Sequence, residues 1–213
     1  HLMFSIDLRD IAHSQARLGR QDEAMRTADL IPDAEQRLTA RYYVAQSYAE
    51  AGRADDAVRT VRTSLAADAP ASERNPFALY AAVEAAAALA ESGRREQAVD
   101  FLEECISAVR SQPRDATQEE VFQRSVAASR GMLVSRLLTK DLESVVTGYT
   151  DRRRLEWIAS LAGKLESDAG RRAVADAREN NRIWDEVRAG RVPEASTFDV
   201  STPAGVEGAG RWA

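Results

Sequence analysis

A chain of 213 residues, 44% of them hydrophobic, can bury a continuous core, and this excludes disorder throughout. Its net charge of −5 provides no global basic field for nucleic acid or an anionic membrane, and no run reaches the roughly 18 apolar residues of a membrane helix. Aromatic residues are only 6% and alanine dominates the apolar fraction, which suits helices that approach closely.

His1-Leu2 ahead of Met3 reads as a cloning remnant, so residues 1–3 are set aside. From Ile6 to about Arg20, Leu8, Ile11, Ala12, Ala16 and Leu18 recur at helical spacing, with Gly19 as the stop. Gln21 to about Ile31 is a second helix, ended by Pro32. Glu35 to Ala51 and Asp55 to Ala67 repeat the pair, and the turn formers from Asp68 to Pro76 predict a longer loop. Phe77 to Ser92 and Arg95 to about Ser111 form a third pair. Gln118 to Leu138 with a short helix from Leu142 to Tyr149 makes a fourth, and Arg152 to Leu165 with Arg171 to Ala189 a fifth. From Ser196 onward Ser, Thr, Pro and Gly predict an extended tail.

One phrase ties these helices together. Gly19-Arg20 with Ala24 returns as Gly52-Arg53 with Ala57 and as Gly93-Arg94 with Ala98, at spacings of 33 and 41 residues. Seven residues before each glycine stands another alanine, Ala12, Ala45 and Ala86. Gly170-Arg171 with Ala175 restores the phrase 77 residues later, and Gly190-Arg191 with Ala195 gives it once more. This two-sided register resembles that of the tetratricopeptide-repeat family over the first 111 or so residues. Tyr48 stands where that family places a large residue, with Gln15 and Leu89 as its counterparts.

The resemblance implies an all-α superhelix, a solenoid of about five tetratricopeptide-like hairpins, with a C-terminal extended tail. Repeats would occupy residues 4–115, degenerate repeats and capping helices 116–195, and the tail 196–213. It also implies a concave groove lined by the first helix of each pair, at positions nine, six and two before the glycine. That stripe reads Asp10, His13 and Arg17, then Tyr43, Gln46 and Glu50, then Glu84, Ala87 and Glu91, with Arg9 and Tyr42 beside it. Such a groove would bind a protein or peptide by shape and polar complementarity.

Catalysis has little to draw on. Outside the remnant, His13 is the one histidine, and Cys105 is the one cysteine, expected to pack as a small hydrophobe. Histidine and cysteine ligands at metal spacing are missing, no Gly-rich phosphate loop follows a strand, and no cofactor is expected. Arg152-Arg153-Arg154 is the one dense basic run; Asp151 and Glu156 dilute it, and nucleic acid is disfavoured as a partner.

The expectation is a non-enzymatic interaction scaffold, with a ligand- or peptide-sensing regulatory domain as the alternative. No membrane insertion is expected, a cytoplasmic setting is, and the tail, with Phe198, Val200 and Trp212, is a candidate for self-association. The predominance of arginine over lysine reads as GC-rich, bacterial coding.

Overall fold

The computed structural model describes residues 2–66, 75–110, 115–139 and 150–191. Among them every regular element is an α-helix and no strand occurs. The helices are α1 (Leu2–Arg17), α2 (Gln21–Asp29), α3 (Ala34–Glu50), α4 (Ala54–Ala66), α5 (Asn75–Glu91), α6 (Arg95–Arg110), α7 (Ala116–Leu138), α8 (Arg152–Lys164) and α9 (Asp168–Arg188). The expected short helix at 142–149 and the tail from 196 lie outside the described residues, as does most of the expected loop. Of the helices that start earlier than apolar spacing alone predicts, two are extended by polar caps. Asp115 and Gln118 form a reciprocal capping box at the start of α7, and Ser167 accepts from the Gly170 backbone N–H (3.0 Å) at the start of α9.

The recurring phrase is a hydrogen-bonded helix stop. Gly19, Gly52 and Gly93 have φ of 76°, 73° and 87°, where a side chain is strained. At each, the glycine N–H donates to the carbonyl three residues back and the following arginine N–H to the one five back, as in Arg53 to Tyr48 (2.8 Å). Two carbonyls that the helix end would leave unmet are thereby satisfied. The arginine carbonyl then accepts the first bond of the next helix, from Ala24, Ala57 or Ala98, all three fully buried.

Gly170 departs from the expectation. It lies inside α9, and the left-handed position of the α8–α9 turn belongs to Glu166 (φ 49°). The same backbone bonds form there, from Glu166 to the Gly163 carbonyl and from Ser167 to the Ala162 carbonyl. Gly170 serves packing: a Cβ on it would stand 2.8 Å from Val134 Cγ2.

Odd-numbered helices form a row in which α1 packs on α3, α3 on α5, α5 on α7 and α7 on α9. Beside it, α2, α4 and α6 pack on their own odd partners, and α8 packs on α7 and α9 and touches α6. Ala12, Ala45 and Ala86 are fully buried, small enough to let neighbouring helices close in. Alanine use peaks in α5, where every residue from Ala81 to Ala90 is buried among α3, α4, α6 and α7. One continuous apolar cluster runs from Ala16 to Ala177, and a satellite of Ala12, Ala28, Ile31 and Ala40 joins α1 to α2 and α3.

Candidate functional site

The first two copies of the expected stripe come together where α1 packs on α3. The His13 and Tyr43 rings stack with centroids 4.2 Å apart and planes 19° from parallel. They line a cleft of about 180 Å³ with Ala16, Arg17, Gln46, Ser47 and Glu50. The cleft is anchored from below: the buried Ser47 hydroxyl donates to the Ala16 carbonyl (2.7 Å) and accepts from Gln21 Nε2 (3.3 Å). Gln46 Nε2 donates to Glu50 Oε1 (3.0 Å) and so fixes that carboxylate at the rim. Arg17 also stands at the cleft, and it forms no ion pair with Glu50.

The residues beside the stripe are otherwise engaged. Arg9 grips Asp10 through Nε and Nη2 (3.0 and 2.8 Å), and its Nη1 donates to Gln36 of α3 (2.8 Å). Asp10 therefore enters the site already neutralised. Tyr42, expected beside the groove, is instead in the core, 3% exposed. One residue is about 100° on a helix, so Tyr43 faces the cleft while Tyr42 faces inward.

The third copy is covered. Glu84 and Ala87 are buried, and Glu84 accepts from Arg136 Nε of α7 (3.2 Å). Burial opposes the Arg136 charge, and Glu84, Glu91 and Glu50 outweigh that opposition, holding it above the ordinary arginine range. Burial, then Glu84 and Glu50, also pushes the hydroxyl of nearby Tyr80 up. Glu91 stays exposed at the end of α5. The expected continuous stripe is therefore an open cleft between α1 and α3 that ends at an ion-paired lid over α5.

The basic run is largely engaged within the chain. Arg152 pairs with Asp185 (2.6 Å), and Arg154 donates to the Leu137 carbonyl through Nε (3.0 Å) and Nη2. A larger cleft of about 330 Å³ beside Arg152 is lined by Arg178, Arg182, Glu156 and Asp185. There Arg182 is itself paired with Glu179 and Glu186, and no aromatic platform lines it. Volume alone therefore does not mark it as the better site.

Cys105 is buried, and burial first, then Glu104, pushes its thiol up to about 12, so it packs as a protonated apolar group. Among the described residues no cluster of histidine, cysteine, aspartate and glutamate could hold a metal ion, and no helix is long and apolar enough to cross a membrane.

Two sets of contacts escaped the sequence reading. The arginines after Gly52 and Gly93 reach the acid of the preceding copy, Arg53 to Asp22 (3.5 Å) and Arg94 to Asp55 (2.5 Å), and Lys164 continues the ladder to Glu96 (3.6 Å). The signal for it is an acid three residues after Gly19, Gly52 and Gly93, which Gly170 and Gly190 lack. The second is the buried Asn181, which donates to the Thr150 carbonyl (2.6 Å) and accepts from its N–H (2.8 Å), pinning the chain just before α8. One of two adjacent asparagines, Asn180 and Asn181, in a polar helix carries no such signal.

No protein-family model matches the chain, and no curated protein or solved structure matches it either.

Proposed function

We propose that the chain is a tetratricopeptide-like helical-repeat solenoid that acts as a non-enzymatic protein-interaction module. It takes a peptide or helix of a partner protein into the cleft between α1 and α3. The observation that carries this reading is the His13–Tyr43 stack, an amphipathic platform with Arg17 and Glu50 standing unpaired with each other at its edges. A stacked platform holds a side chain by its faces, and two opposite charges orient the backbone or neighbouring residues of a bound segment. Regular turns at Gly19, Gly52 and Gly93, each joining two helices that pack on each other, support the repeat architecture.

Size favours a side chain over a free small molecule as occupant. Ligand pockets run to about 300–1,000 Å³, against about 180 Å³ here. The small-molecule form of the regulatory-domain reading therefore has the weaker support at this cleft. The test is a peptide-library selection on the intact chain, followed by affinities for a selected peptide. Tyr43→Ala is expected to weaken binding by about 1–2 kcal/mol with helicity unchanged. Glu50→Arg is expected to change the charge preference of the selected peptides. An unaltered affinity in Tyr43→Ala moves the site away from this cleft.

A further inference from the structure

The row of odd-numbered helices shows what one face of α1 is built for. α3 meets the hairpin before it through Arg37, Ala40, Val44 and Ser47. Arg37 donates to the Ile31 and Pro32 carbonyls (2.6 and 3.2 Å), Ala40 clusters with Ala12, Ala28 and Ile31, and Ser47 bonds the Ala16 carbonyl. Val44 lies between them in register and is 0% exposed, as is Ala85 at the same place on α5. Thirty-three residues earlier, the spacing of Gly19 and Gly52, α1 carries Phe4, Asp7, Ile11 and Ser14 on that face.

There Ile11 is 48% exposed, Phe4 56%, and Leu18, seven residues further on, 73%. A spacing of seven keeps the three on one side of the helix, drifting only about 20° per step. Single exposed apolar residues are ordinary. At the place of Ile11 the other two copies, Val44 and Ala85, are buried, so this apolar line on α1 is an interface left open among the described residues. At the other end of the row α9 differs, exposing the polar Arg172, Asp176 and Glu179 among the described residues.

We propose that α1 is a self-association surface on which a second copy of this chain docks its own α1, antiparallel, about a two-fold axis at Ile11. The charges commit the face to a second copy. Asp7 and Arg17 are exposed and form no ion pair among the described residues. Antiparallel pairing about Ile11 sets Phe4 against the other copy's Leu18. It also brings Asp7 within about 3 Å, measured along the axis, of the level of the other copy's Arg17, and on the same flank. The two-fold makes this ion pair twice. A parallel pairing would set aspartate against aspartate and arginine against arginine. The two readings share Arg17, but Ile11 lies off the platform formed by His13 and Tyr43, so Ile11→Glu and Tyr43→Ala let this proposal and the peptide-binding reading fail separately.

Sedimentation equilibrium across micromolar concentrations reads the association directly. The chain is expected to dimerise, and Ile11→Glu to raise the dissociation constant at least about ten-fold with helicity unchanged. Asp7→Arg alone and Arg17→Asp alone weaken the dimer, and the two together restore it. A monomer at every concentration overturns the proposal, and so does a dimer that Ile11→Glu leaves untouched. A monomer that dimerises only after removal of residues 192–213 assigns the face to the chain's own C-terminal segment, and overturns it as well.

Discussion

Between α1 and α2 the left-handed position of the turn is held by Gly19; between α8 and α9 it is held by Glu166, with the same pair of backbone bonds around it. Near the second turn the glycine stands four residues later, at Gly170, where α9 crosses α7. The N-terminal hairpins use glycine for backbone conformation and let alanine make the close contacts, whereas α7 to α9 do the reverse. Gly131 of α7 sits beside this crossing too, and a Cβ on it would stand 3.0 Å from Ala169 Cβ. A hydrogen-bonded turn tolerates a strained residue when its bonds are made, but a helix crossing this close does not tolerate an added methyl group.

The largest effect that sharpens this contrast comes from Gly170→Val. Val134 and Ser167 are both buried, so neither can swing clear, and the substitution is expected to cost about 3 kcal/mol in urea unfolding. Gly163 of α8, where an added Cβ would meet nothing within 4 Å, is the control. Gly163→Ala is expected to stabilise by about 0.4–1 kcal/mol through the unfolded chain. Equal stability of the two variants would put the α7–α9 crossing somewhere else.

Exchanging the two turn solutions tests the other half. Gly52→Ala meets no neighbour, so its whole cost is the left-handed backbone, roughly 1–2 kcal/mol. Glu166→Gly removes the same strain and is expected to raise stability by roughly 1 kcal/mol. If Glu166→Gly is neutral, the glutamate side chain makes a compensating contact in the folded chain.

The turns were legible because each is local: glycine, the next residue's carbonyl and a buried alanine five on all lie within one phrase. Its reappearance at Gly170 misled because the letters report composition, and φ is set by where the preceding helix stops. The stripe was legible on α1 and α3, where Asp10, His13, Arg17, Tyr43, Gln46 and Glu50 share one side of their helices. It was not legible on α5. What covers Glu84 is Arg136, 52 residues away on a helix whose position no local spacing fixes. The run of alanines from Ala81 to Ala90 did hold a hint, since a helix so poor in polar residues has no side to give to water.

A smaller effect separates the first rung of the ion ladder from the second. The Tyr48 hydroxyl donates to Asp22 (2.8 Å), and Arg53 lies over the Tyr48 ring at 4.5 Å. Burial, then the bond to Asp22, pushes the Tyr48 hydroxyl up to about 12. The fold holds the protonated phenol, and an unfolded tyrosine ionises at about 10. Its contribution is therefore complete below about pH 10 and lost as pH rises through about 12. Melting temperatures across that window are expected to fall more steeply in the parent than in Tyr48→Phe. On the acid side the Tyr48 bond, ahead of Arg53, holds Asp22 below the usual carboxylate value, so its contribution is present above about pH 4 and lost as pH falls.

The smallest effect belongs to the second rung, Arg94 to Asp55, which has no tyrosine beneath it. Both side chains are at least a third exposed, so water screens the pair, and a double-mutant cycle with Arg94→Ala and Asp55→Ala should give a coupling of about 0.2–1 kcal/mol. Added salt should shrink it further, because exposed charges are screened over about 10 Å at 0.1 M. The value of the rung lies in its direction: each arginine reaches back to the acid of the preceding copy, so the charges favour one stacking order over slippage by a helix. A coupling of zero at low salt would leave the stacking of these hairpins to the buried alanines alone. A coupling well above this range would mean that the ladder holds the N-terminal hairpins in register as firmly as Gly170 holds α9 on α7.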